Sequence, residues 1–140
     1  MNSIILMKTL PSVDVILAHE DRLIIDDTVF IVNDKDALET LFYFNKQRIT
    51  SAIGLSPFIL CLGHRVNGML SLWNWTGATY SFHQQASFGE GSIDTMRIDG
   101  QGNLYCLIGK YSVLRITPSE VNLATSERSI LYNSKGGEQE

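Results

Sequence analysis

From Pro57 to Pro118 the chain alternates short apolar runs with tight-turn residues, the pattern of strands joined by hairpins. Asn67-Gly68 and Thr76-Gly77 are its sharpest marks. Asn-Gly between alternating residues signals a type I′ turn, which needs positive φ at both central positions. Read as two-residue turns, they set Leu62 opposite Trp73 and Trp73 opposite Tyr80. Leu60 then opposes Trp75, and Phe82 opposes Ser71. All these side chains share one face, which the aromatic content assigns to the core. The opposite face, with Ile59, Cys61, Arg65, Leu70 and Leu72, reads as mixed.

A second meander turns at Gly100–Asn103 and again at Gly109-Lys110. Its register predicts Met96, Ile98, Tyr105, Leu107, Leu114 and Ile116 on one face, with Thr95, Arg97, Cys106, Ile108, Tyr111 and Val113 on the other. Between the meanders, Gln84–Ser92 reads as a polar, mobile loop. The N-terminal third also reads as strands: Ser3–Met7, Val13–Leu17, Arg22–Asp26 and Thr28–Val32. From about Asp34 to Arg48 the period changes. Leu38, Leu41 and Phe42 fall at helical spacing, Asp36 and Glu39 resemble a capping box, and Lys46 and Arg48 suit a helix C-terminus. Ile49–Ser56 is then a connection around Gly54, Ser129–Asn133 an edge strand, and 134–140 a disordered tail.

The predicted fold is mainly β (α+β), one domain over 1–133. Antiparallel meanders form a strongly bent sheet, sandwich or partly open barrel, and one α-helix covers it. The phrase RIDGQGNLYCLIGKYSVLRI resembles the strand pattern of a β-propeller blade. Propellers close with at least four blades, roughly 160 residues, and the phrase has no second copy. The resemblance therefore assigns no family.

Composition adds little to the fold and more to the compartment. The apolar fraction of 44% with 19% charged residues is that of a globular domain. Cys61 and Cys106 each sit in an apolar run and read as buried, reduced thiols. The apolar run of MNSIILMKTL is too short for a secretory segment, and no run could span a bilayer. A cytoplasmic protein without membrane contact is the expectation, and Asn74-Trp75-Thr76 is then a chance sequon.

Charge is unevenly placed. The net charge is −4, yet residues 1–40 carry −5 and residues 41–118 carry +3. An acidic end disfavours nucleic acid and favours a basic protein partner. The candidate partner-binding residues are Asp14, Glu20, Asp21, Asp26, Asp27, Asp34 and Asp36.

No motif of catalytic or cofactor chemistry appears. GEGS and GQGN lack the Lys-Ser/Thr of a phosphate loop, and GLSP is no nucleophile elbow. The cysteines and histidines lack zinc spacing. His64 falls opposite Ser71 on the aromatic face, while His83 points to the other, so they share no site. Arg65, Arg97 and Arg115 among aromatics could suit a single strand of nucleic acid, but the chain is acidic and its aromatics are assigned to the core. Trp73 and Trp75 read as core rather than recognition patch. The reading is a non-catalytic protein-binding module without metal or cofactor. Its narrowest form is a small bacterial immunity or antitoxin protein neutralising a basic, nuclease-type toxin. Alternatives are a small-molecule binder or enzyme using a barrel pocket, and an assembly subunit of a phage or secretion system.

Overall fold

The computed structural model describes residues 13–45, 48–117 and 127–133, and everything below concerns those residues. The Ser3–Met7 strand, Pro118 and the tail 134–140 lie outside them. Twelve strands follow one another: β1 (Ile16–His19), β2 (Arg22–Ile25), β3 (Thr28–Val32), β4 (Leu38–Tyr43), β5 (Ile49–Ser56), β6 (Ile59–His64), β7 (Met69–Trp75), β8 (Tyr80–Ser87), β9 (Ile93–Ile98), β10 (Leu104–Ile108), β11 (Ser112–Thr117) and β12 (Glu127–Asn133). They form three four-stranded antiparallel meanders, β1–β4, β5–β8 and β9–β12. The β12 strand takes the outer edge of the third sheet, where an edge strand was expected.

The sheets stack face to face, with the middle one covered on both sides. Val15, Ile24, Val29 and Phe44 of the first sheet and its approach meet Leu60, Leu62, Trp73 and Tyr80 of the middle sheet. On the other side Cys61, Leu70 and Leu72 meet Met96, Leu104, Cys106, Leu114 and Ile116. Burial on both faces explains the near-continuous apolar run of β6, where Leu60, Cys61 and Leu62 are all buried. The face read as mixed is therefore also core. The two cysteines are free thiols inside it; burial raises the Cys61 thiol well above its ordinary value and pushes Cys106 up to about 12.

Successive first strands lie side by side, β1 by β5 and β5 by β9. Four-stranded meanders repeated around first strands are arranged like consecutive β-propeller blades. Close approach at this axis sets residue size. A Cβ on Gly63 would stand 2.4 Å from Ser51 Oγ and 2.6 Å from Ile93 Cγ2, so only glycine fits.

Several expectations are corrected. The covering helix expected over 34–48 is not formed among the described residues of that stretch, 34–45 and 48, where β4 runs over Leu38–Tyr43. A bulge between Val29 and Phe30 sets Phe42 opposite Val29 and Thr40 opposite Phe30. Leu41 is the extra residue, so Leu41 and Phe42 both pack toward the core and imitate helical spacing. Ile49–Ser56 is a strand rather than a connection, and β8 runs through Gln84–Ser87, leaving only 88–92 as a loop. That loop is tied down: Gly68 N–H donates to Gly91 O at 2.6 Å, and Phe88 N–H to Gly68 O at 3.0 Å.

Asn67 and Gly68 do hold positive φ, 62° and 49°, with Met69 N–H closing the turn on Val66 O. The ladder nevertheless slips by two residues from the two-residue reading. Leu60 pairs with Trp73 and Leu62 with Ser71, while Trp75 pairs with Tyr80 and Trp73 with Phe82. A two-residue slip preserves the faces. Gly68→Val should cost about 2–3 kcal/mol, because a branched residue in the left-handed region is strained. Its Cβ would also stand 3.0 Å from Gly89 N. The urea midpoint measures this, and an unchanged midpoint would contradict the turn geometry.

In the third sheet the loop is three residues, 100–102, not four. Asp99 N–H donates to Asn103 O, and Gly102, at φ 85°, donates to Asp99 O. The one-residue difference reverses β10, so Leu104, Cys106 and Ile108 face the core and Tyr105 and Leu107 face out. The β3–β4 hairpin repeats the device: Asn33 N–H donates to Ala37 O, and Asp36, at φ 56°, donates to Asn33 O. In both loops the first side chain caps the turn. Asn33 Oδ1 accepts from Lys35 and Ala37 N–H, and Asp99 Oδ1 from Gln101 and Asn103 N–H.

The Asn103 amide first, then backbone N–H groups and the Tyr105 hydroxyl, hold the Asp99 carboxyl down at about 2, against an ordinary 3.8. A depressed carboxyl stabilises the fold fully above its unfolded value. That contribution should be lost as pH falls from about 4 through 2. Asp99→Asn should keep the hairpin, as Asn33 does, and abolish that part of the acid dependence. Acid titrations of both proteins monitored by circular dichroism check this.

Candidate functional site

The β5–β6 turn carries an aromatic side chain into solvent on a rigidly held backbone. Phe58 is 63% exposed. Three consecutive carbonyls around it are each anchored. His19 Nε2–H donates to Ser56 O at 2.7 Å, Arg22 Nη2–H to Pro57 O at 2.9 Å, and Trp75 N–H to Phe58 O at 2.7 Å. Two of the three anchors are side chains from the first sheet, so the turn is fixed across the sheet interface.

Those side chains form a directed chain of hydrogen bonds. A carbonyl can only accept, so His19 carries its proton on Nε2 and offers Nδ1 as acceptor. The Tyr80 hydroxyl donates to Nδ1 at 2.6 Å and itself accepts from Arg22 Nε–H at 2.9 Å. Arg22 is buried yet fully engaged. Its Nη1 reaches Asp21 Oδ1 at 3.2 Å, and its guanidinium carbon lies 4.1 Å from the centre of the Trp75 ring. Cation–π contact of this kind offsets part of the desolvation of the charge. Burial lowers the His19 pKa and the Arg22 charge lowers it further, against the Ser56 carbonyl, so the imidazole stays neutral. Burial raises the Tyr80 phenol, keeping it protonated as the chain requires. Gly54 makes room, since a Cβ there would stand 2.8 Å from His19 Cδ2.

The first sheet divides the acids proposed from sequence between its two ends. Glu20 and Asp21 sit in the β1–β2 turn, and Asp34 and Asp36 in the β3–β4 loop, at the end that also carries Phe58. All four are exposed. Asp14, Asp26 and Asp27 lie at the opposite end, about 16–20 Å of strand away. There they have local partners: Asp14 pairs with Arg48, Asp26 Oδ1 accepts from Asp14 and Val15 N–H, and Asp27 Oδ1 accepts from Thr28 Oγ1. Sequence reasoning missed His19, Arg22, Phe58 and Tyr80. The one local cue was a His and an Arg flanking a two-residue acidic turn.

Other chemistry-bearing residues are enclosed or dispersed. His64 Nε2 lies 2.7 Å from Ser71 Oγ, which also accepts from Trp73 Nε1–H at 2.9 Å. Both residues of this Ser–His contact are 0% exposed, so no substrate reaches it. His83 is exposed, beside Gln84. The beginnings of β1, β5 and β9 line an open groove of about 250 Å³ with Asp14, Thr50, Asp94 and Arg97 at its walls. Among the described residues no cluster of three or more His, Cys, Asp or Glu could hold a metal, and no helix is long and apolar enough to cross a membrane. The chain matches no protein-family model and no curated protein sequence.

Proposed function

We propose that this chain is a non-catalytic, cytoplasmic protein-binding module that docks a basic partner on the end bearing Phe58, Glu20 and Asp21. The observation that carries the reading is the exposed Phe58 on a turn whose Ser56, Pro57 and Phe58 carbonyls are all tied down. An aromatic anchor held in place before binding loses little entropy on association. Acidic residues beside it would steer a positively charged partner and set the association rate. In its narrowest form the reading is an immunity or antitoxin protein covering the basic surface of a nuclease-type toxin.

The test is capture of a basic protein from native lysate, then binding kinetics with three variants. Phe58→Ala should weaken binding at least tenfold through faster dissociation, as truncated interface anchors do. Glu20→Lys should slow association, and added salt should mimic it. Asp27→Lys, at the far end, should change neither rate. A partner bound equally well by the Phe58→Ala variant would overturn this docking site.

A further inference from the structure

The chain of bonds behind the Phe58 turn is built around a neutral imidazole. Two donors converge on His19 Nδ1, the Tyr80 hydroxyl at 2.6 Å and Arg22 Nη2 at 3.4 Å. Neither donor can turn away freely, because Arg22 Nε–H also donates to the Tyr80 oxygen and Nη2–H to Pro57 O. A proton on Nδ1 would make that acceptor a third donor. The Tyr80 hydroxyl proton would lose its acceptor, and an imidazolium would stand against the guanidinium, with both residues buried. Like charges at that distance repel more strongly away from water than in it. The other charged groups facing His19 do not offset this. Glu20 and Asp21, in the β1–β2 turn, are exposed and largely screened, and Asp21 already pairs with Arg22. The β5 strand presents no charge, only the Ser56 carbonyl and the backbone of Gly54.

We propose that His19 is a pH-sensitive latch: protonation at Nδ1 ejects the imidazole from between Tyr80 and Arg22 and releases the Phe58 turn. The step takes a single proton from solvent, and no other covalent bond forms or breaks. The place of His19 makes the release local. It is the last residue of β1, an edge strand paired among the described strands only with β2, and it borders the exposed turn at Glu20 and Asp21. Opening of that hairpin end brings the imidazole to water while the core around Ile24, Val29 and Trp73 stays closed. Ser56 O then loses its donor, and the turn keeps only its Arg22 and Trp75 anchors. Burial first, and then the Arg22 charge, lower the His19 pKa from its ordinary 6.5 against the Ser56 carbonyl. The latch therefore contributes its full stability above pH 6.5 and loses it as pH falls from there through the lowered value. The Asp99 contribution is lost only below about 4, so the two windows are separate. Weaker docking in acid is the consequence for function. That consequence rests on the docking site proposed above, whereas the latch itself does not.

Hydrogen exchange and imidazole titration of the unbound full chain, both by nuclear magnetic resonance, test the latch without a partner. Between about pH 7 and pH 5 the protection factor of the Trp75 amide, which donates to Phe58 O, should fall about threefold or more. That of the Phe44 amide, which donates to Asp27 O at the opposite end of the first sheet, should stay constant. In His19→Gln the side-chain amide can still donate to Ser56 O but cannot titrate, so the Trp75 response should vanish. The wild-type imidazole needs no variant: it should carry its proton on Nε2 at neutral pH and titrate below 6.5. A midpoint at or above 6.5 would overturn the proposal. An equal loss of protection at Phe44 would overturn it too, since the acid response would then be global. A response that persists in His19→Gln would belong to His64 or His83 and not to a latch at His19. Exchange and titration as expected, with partner capture unaffected by Phe58→Ala, would leave the latch standing and remove the docking site.

Discussion

Trp73→Ala is expected to destabilise the protein by about 3–5 kcal/mol, the range for removing a buried large aromatic side chain. Trp73 is the centre of the core between the first and middle sheets. Its ring lies 5.0 Å from Phe44, 6.1 Å from Phe42 and 5.4 Å from Phe82, each in an edge-on arrangement. Edge-on aromatic pairs add about 0.5–1.5 kcal/mol beyond the area they bury. The substitution also removes the indole N–H that donates to Ser71 Oγ. Trp73→Phe should recover most of the packing and lose that bond, leaving a deficit of about 1–2 kcal/mol. Trp75→Ala, at a half-buried position, should cost less than Trp73→Ala. Urea unfolding measures all three. A Trp73→Ala loss below about 1 kcal/mol would mean that the first sheet is not held by this core.

Hairpins were the legible part of the fold, because turn chemistry is local. Asn67-Gly68 and Gly109-Lys110 demand positive φ, and both pairs adopt it. Register was less legible, since it depends on the number of residues a loop takes. A three-residue loop at 100–102 in place of four reversed β10, and that alone misplaced Tyr105, Leu107, Cys106 and Ile108. The helix reading of 34–48 failed for a different reason. A bulge at Leu41 generates the same i, i+3, i+4 spacing of apolar residues as a helical turn, and sequence period cannot distinguish them. Double-sided burial of the middle sheet was legible in principle from ILCLGH, an apolar run too continuous for a half-exposed strand.

The candidate site was less visible because its parts are far apart in the chain. His19, Arg22, Ser56, Pro57, Trp75 and Tyr80 come from five strands and a turn on two sheets. Nothing in their spacing announces a network. Charge counting found the acids of residues 1–40 but treated them as one surface, whereas strand direction sends Glu20, Asp21, Asp34 and Asp36 to one end and Asp14, Asp26 and Asp27 to the other. Only topology separates them.

Arg22→Leu should lower stability by about 3–5 kcal/mol and weaken partner binding although Phe58 itself is untouched. The loss has two sources. Pro57 O loses its donor and the Tyr80 oxygen loses the Arg22 Nε–H, and an unsatisfied buried polar group costs about 1–3 kcal/mol. The contact with the Trp75 face, worth up to about 2 kcal/mol when desolvated, is lost as well. Arg22→Lys keeps the charge but not the fork, so it cannot serve Tyr80, Asp21 and Pro57 together, and it should fall between leucine and the wild type. Removing the positive charge should also let the His19 pKa rise, because that charge helps hold it down. Nuclear magnetic resonance titration of the imidazole reads this independently of stability. Binding should be compared at a temperature where every variant is fully folded. Faster dissociation by Arg22→Leu under those conditions would locate the effect in the loosened Pro57–Phe58 turn. Unchanged binding together with reduced stability would make Arg22 a tie between sheets with no part in presenting Phe58.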